Sequence, residues 1–154
     1  MKLIDNLKIT WGVLFVGLKN NWLTPHEVVR LVNEYSAKLT CNEDLLVELN
    51  VNEDDRNMIL SLIEEKGELE EEQAMKYWQK GALLAIRQSK KPIKEKLRDI
   101  ELQWSRFDYP EEWKDFIYYM PNTKSDSSEE IYQIFLNYVN NASNSREKVY
   151  PSST

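Results

Sequence analysis

The sequence predicts an all-α protein, a single irregular bundle of about seven helices. Three observations predict it. Apolar residues recur at i, i+3, i+4 and i+7 through most of the chain. No segment sustains the period-two alternation of a half-buried strand. Only four glycines and five prolines occur in 154 residues, too few for a turn-rich β fold. Apolar content of 42% and charged content of 30% are those of a globular chain long enough for one sizeable core. Residues 1–141 are expected to form that domain and 142–154 a polar, frayed C-terminal tail.

The helices follow in order. Thr10 is a candidate cap for the first, in which Trp11, Leu14, Phe15, Leu18 and Trp22 form one stripe that Asn20-Asn21 can end. Thr24-Pro25-His26-Glu27 is a strong start signal, with an N-cap threonine, proline at N1 and a capping-box glutamate at N3. Val28, Val32, Tyr35 and Leu39 give that helix a buried face reaching to near Thr40. Asn42 can cap a short helix, Glu43 to Glu48, with Leu45, Leu46 and Leu49 inward; residues 42–51 also read as a strand. Asn52 is expected to cap the next helix, in which Met58, Ile59, Leu62 and Ile63 pack and Gly67 stands past the end.

Glu68 to Gln88 reads as a long helix with an acidic start and a basic end, as the macrodipole prefers. Its inner face is Met75, Trp78, Ala82, Ala85 and Ile86. Pro92 opens another, with Ile93, Leu97, Ile100, Trp104 and Phe107 inward. Phe107 to Pro121 then holds six aromatic residues and two prolines in fifteen positions. It reads as a helix from Pro110 to about Tyr119, with Trp113, Phe116, Ile117 and Met120 on its apolar face, docked as a lock piece of the core. Asn122 to Ser128 is a polar loop. Asp126 or Ser127 caps the last helix, whose inner face is Ile131, Ile134, Phe135, Tyr138 and Val139. The five tryptophans Trp11, Trp22, Trp78, Trp104 and Trp113 are expected in one core.

No catalytic constellation is legible. His26-Glu27-Val28-Val29-Arg30 resembles the start of a zinc-protease helix, but Arg30 stands where the second histidine belongs. His26 is the only histidine, so neither a histidine metal site nor a Ser-His-Asp triad can be built. Gly12 to Lys19 fails as a phosphate loop, because lysine does not follow the second glycine directly. Those glycines are expected to admit a close neighbour instead. The single cysteine, Cys41, excludes an internal disulfide; it lies near a predicted helix start, a place that lowers a thiol pKa, yet has no histidine beside it. The expectation is a non-enzymatic chain with no metal or cofactor.

The formal net charge is −6, unevenly spread. Residues 41–72 carry twelve acids against Arg56 and Lys66, a net of −10. Residues 73–106 carry nine bases against three acids, a net of +6. Such asymmetry speaks to partners. The basic run Lys90, Lys91, Lys94, Lys96 and Arg98 lacks interleaved exposed aromatics in an acidic chain, so nucleic acid is not expected as a partner. The longest apolar run near the N-terminus, Val13 to Val16, is too short for a membrane span or signal core, so a cytoplasmic protein without membrane contact is expected.

Two stretches carry a resemblance. One is Trp11-Gly12 through Gly17-Leu18-Lys19-Asn20-Asn21-Trp22-Leu23, with the Thr24–Glu27 helix start. The other is Tyr109-Pro110-Glu111-Glu112-Trp113, closing with Phe116-Ile117-Tyr118-Tyr119-Met120-Pro121. Together they resemble a small bacterial all-α family of formerly unknown function. Members are encoded beside LXG-type polymorphic toxins and act as their immunity proteins. The resemblance implies an antitoxin that binds and blocks a cognate toxin domain, with a nuclease the expected class, and brings no catalytic residues. The acids Glu53, Asp54, Asp55, Glu64, Glu65, Glu68, Glu71 and Glu72 are the expected partner-binding surface, with Asp108, Glu111, Glu112 and Asp115 as the fallback. The alternative is a non-enzymatic interaction or regulatory module using the same acidic surface.

Overall fold

The computed structural model describes residues 6–67, 69–117 and 127–153, and for 142–153 the backbone alone. Seven α-helices and one 3-10 helix make up the described residues, with no strand among them. They are α1 (Trp11–Lys19), α2 (Pro25–Glu34), α3 (Glu43–Val51), α4 (Arg56–Lys66), α5 (Glu71–Gln88), α6 (Ile93–Arg106), the 3-10 helix (Glu111–Phe116) and α7 (Ser128–Ser153). The all-α class is thus as expected. No helix among the described residues is long and apolar enough to cross a membrane. Contacts group into two compact units, Leu7–Trp78 and a second made of the first six residues with Gln79–Thr154.

In the first unit α1 is the organising element. Every residue from Gly12 to Leu18 is buried, so the helix is enclosed all round and not by one stripe alone. Trp11 and Trp22, at its two ends, are half-buried. The Thr10 hydroxyl accepts from the Val13 N–H at 3.1 Å, and Asn21, with φ 62°, turns the chain away after Asn20. The expected role of the glycines holds. A Cβ on Gly12 would collide with the Leu69 carbonyl, and one on Gly17 would lie 2.5 Å from the Trp78 ring and 2.7 Å from Leu23. The C-terminus of α1 is closed by Arg56, which donates to the carbonyls of Leu18 at 3.2 Å and Lys19 at 3.0 Å.

The α2 capping box is complete, with Thr24 Oγ1 accepting from Glu27 N–H and Glu27 Oε1 accepting from Thr24 N–H. The helix ends at Glu34, short of the expected Thr40. The next residues form turns, Thr40 takes φ 50°, and the Trp11 indole N–H donates to the Leu39 carbonyl at 2.9 Å. That carbonyl is therefore satisfied outside any helix. Residues 43–51 are helix and not strand, with Asn42 capping through Leu45 N–H. Leu49 is buried, whereas Leu45 and Leu46 are only half-buried.

The cap of α4 is Asp55, which accepts from Met58 N–H, and not Asn52, which instead closes α3. Met58, expected inward, faces outward and is 42% exposed, while Ile59, Leu62 and Ile63 are buried as expected. α5 begins at Glu71 and not Glu68. Gly67 and Glu70 adopt φ 72° and 45°, which breaks the helix there and brings the Leu69 carbonyl over Gly12.

In the second unit, α6 ends at Arg106 and the chain turns through Asp108 and Tyr109, at φ 61° and 58°. The Trp104 indole N–H donates to Pro110 O at 2.9 Å, and the Tyr109 ring stands edge-on to Trp104. The segment expected as an α-helix to Tyr119 is a 3-10 helix ending at Phe116, with Ile117 extended. The three-residue spacing of Trp113 and Phe116 eclipses them on one face at 3-10 pitch. Both are 1% exposed and Ile117 is fully buried, so the expected apolar face is in place as far as Ile117. Residues 118–126, including Met120, Pro121 and Asp126, lie outside the described residues. Phe116 packs against Phe135 and Tyr138 of α7. Ser127 caps α7, accepting from Glu130 N–H.

Candidate interaction surface

The acidic stretch divides into residues with local work and residues without it. Asp55 is spent as the α4 cap. Glu53 and Asp54, both exposed, meet His26 of α2. Its Nδ1 lies 3.8 Å from Glu53 Oε2 and its Nε2 2.5 Å from Asp54 Oδ1. The isolated histidine of the sequence thus bridges two of the expected surface acids. Glu71 lies 3.5 Å from Lys19 across an exposed gap. Glu64, Glu65 and Glu72 are exposed and form no ion pair among the described residues. Glu68 lies outside the described residues.

These groups do not converge on one point. Asp55 and Glu65 stand at opposite ends of an 11-residue helix, roughly 15 Å apart at 1.5 Å per residue. The two bases of the stretch are also engaged: Arg56 on the α1 carbonyls, and Lys66 with its ammonium 5.7 Å from the Trp11 ring centroid. Among residues 7–78 the sequence has fourteen acids and seven bases, so this unit carries more than the net charge of the chain.

Sequence reasoning missed the apolar part of the surface. Val47 and Val51 of α3 are 55% and 76% exposed, and Met58 joins them among the exposed apolar residues. Val47 and Val51 lie one helical turn apart, a signal present in the sequence but hidden while residues 42–51 could still be a strand.

Reactive groups are few. Burial raises the Cys41 thiol pKa, with the Lys66 charge acting the other way, and Cys41 lies one residue before the α3 cap Asn42. Its Sγ contacts Asn42 O at 3.5 Å. In the second unit, Lys91 pairs with Asp99 at 2.8 Å, and Lys96 reaches both Arg87 O and the Tyr132 hydroxyl at 3.1 Å. Two members of the basic run are thus engaged within the second unit itself. Two of the four fallback acids also have local partners: Glu111 pairs with Lys114, and Glu112 accepts from the Tyr138 hydroxyl at 2.9 Å.

The profile of DUF2247, described as an uncharacterized protein conserved in bacteria, matches residues 2–143. The chain belongs to this family. No curated protein and no solved structure matches it. Membership in a bacterial DUF2247 family accords with the coarse part of the resemblance drawn from the sequence, a bacterial family without an assigned function.

Proposed function

We propose that this DUF2247 protein is an immunity protein that binds and blocks a cognate LXG-type toxin domain, with a nuclease as the expected toxin class. The resemblance supplies the role, and one observation on the surface supports it. Glu64, Glu65 and Glu72 stand exposed without ion pairs among the described residues, while both bases of the stretch, Arg56 and Lys66, are occupied on α1 and its tryptophan. A surface kept negative in this way suits a basic cleft such as one that grips a nucleic-acid backbone. Charge of this kind steers encounter and rejects wrong partners more than it adds affinity. No turnover is needed for such a role; occupying the cleft suffices.

The experiment is co-expression with the C-terminal domain of the toxin encoded beside this gene. Cells making the toxin domain alone stop growing, and cells making both survive. Growth arrest that persists with the folded, soluble protein present at equal or higher level overturns the proposal.

A further inference from the structure

We propose that the outward face of α3 is the apolar centre of the docking surface, and that its occupant is a toxin-domain surface bearing an apolar side chain within a rim of lysine or arginine. The inference rests on the immunity reading and adds the location of the interface to it.

The helix is held so that one face is committed inward. Leu49 is fully buried and Leu45 and Leu46 half-buried. Asn50 and Asn33 of α2 exchange amide hydrogen bonds at 3.0 and 3.2 Å, which fixes the rotation of α3 against α2. The other face then presents Val47 and Val51, 55% and 76% exposed and aligned one turn apart. Single exposed apolar residues are ordinary. Two β-branched residues in register on a nine-residue helix are not chosen for helix propensity.

The charges around them indicate the occupant. Glu43, Asp44 and Glu48 are exposed, form no ion pair among the described residues, and α3 contains no base. Glu43 and Asp44 suit the positive end of the helix dipole. Glu48 lies toward the opposite end, where a negative charge is disfavoured, and sits at i+4 from Asp44, a like-charge spacing. An apolar pair bordered by uncompensated carboxylates is complementary to an apolar anchor ringed by cations. An anionic membrane would be repelled, and a second copy of the chain would bring the same carboxylates to meet these.

The test uses the full chain and the toxin domain encoded beside its gene, with association and dissociation followed by surface plasmon resonance. The double variant Val47→Ser/Val51→Ser is expected to bind roughly 30-fold or more weakly, mainly through faster dissociation, as for anchors at the centre of an interface. Val47→Leu/Val51→Leu is expected to retain binding. Glu48→Lys is expected to slow association, and it carries the test should the serine variant fail to fold. Wild-type binding with unchanged dissociation of the folded serine variant overturns this inference and leaves the immunity reading standing. Absence of wild-type binding overturns both. A wild-type dimer in sedimentation, or binding to phosphatidylglycerol vesicles, that the serine variant loses would give the face a different occupant and overturn the inference.

Discussion

The indole N–H of Trp78 donates to the main-chain carbonyl of Val13 at 2.9 Å, both groups buried. This bond fastens α5 to the first turn of α1. The same ring lies within 5.2 Å of the Trp22 ring, centroid to centroid, and fills the space that a side chain at Gly17 would need. The length and enclosure of α1 therefore depend on glycine at two places where other chain elements lie against its backbone.

Gly12→Ala and Gly17→Ala should each destabilise the protein by about 1–3 kcal/mol, the usual range for overfilling a packed core. Gly12→Ala should cost more, because it opposes the Leu69 main chain, whereas Gly17→Ala opposes side chains of Trp78 and Leu23 that can shift. Urea unfolding of the two variants measures this, and equal stability to wild type would show that α1 is not closely enclosed.

Trp113→Ala should cost about 3–5 kcal/mol. The side chain is 1% exposed, edge-on to Phe107 and tilted against Phe116. A melting temperature unchanged by the substitution would remove the 3-10 helix from the core.

Tyr138 gives a pH dependence. Burial first, then its hydrogen bond to Glu112, raises the phenol pKa well above its ordinary value, against a smaller opposing contribution from Trp113. The folded state therefore favours the protonated phenol. Its contribution is fully present below the unfolded pKa of about 10 and is lost as pH rises through the folded value. Wild type should lose stability above about pH 10 more steeply than Tyr138→Phe, as read by melting temperature against pH. Parallel curves would contradict the assignment.

His26→Ala should leave the fold in place and, on the proposed function, protection against the toxin domain as well. The His26 contacts to Glu53 and Asp54 are exposed, and exposed polar contacts of this kind add little to stability. A folded variant that no longer protects cells would give His26 a direct part in binding.

Helix existence was legible where caps and periodicity agreed. Thr10, Thr24, Asn42 and Ser127 all act as the caps their positions suggest, because a cap is a local hydrogen bond between residues three apart. What long-range contacts decide was not legible. The late start of α5 goes with Leu69 lying on Gly12, and the turns after α2 with Trp11 taking the Leu39 carbonyl, both contacts between residues far apart in sequence. Asn52 and Asp55 are both competent caps, so local sequence does not decide between them, and Met58, at the edge of the Ile59, Leu62 and Ile63 stripe, is likewise placed by packing. Of the expected surface, local sequence could place the acids but could not foresee that Asp55 would cap, that His26 would bridge Glu53 and Asp54, or that Lys19 would reach Glu71.

The proposed docking is tested most sharply by the association rate between this protein and the proposed cognate toxin domain as ionic strength is varied. The wild type is compared with the triple variant Glu64→Lys/Glu65→Lys/Glu72→Lys, whose sites are exposed and free of ion pairs among the described residues. If the acidic surface steers the encounter, wild-type association is fast at low salt and falls steeply as salt rises, and the triple variant associates more slowly with a flatter dependence, at unchanged melting temperature. Equal rates for the two proteins at low salt, with the same salt dependence, would contradict this steering.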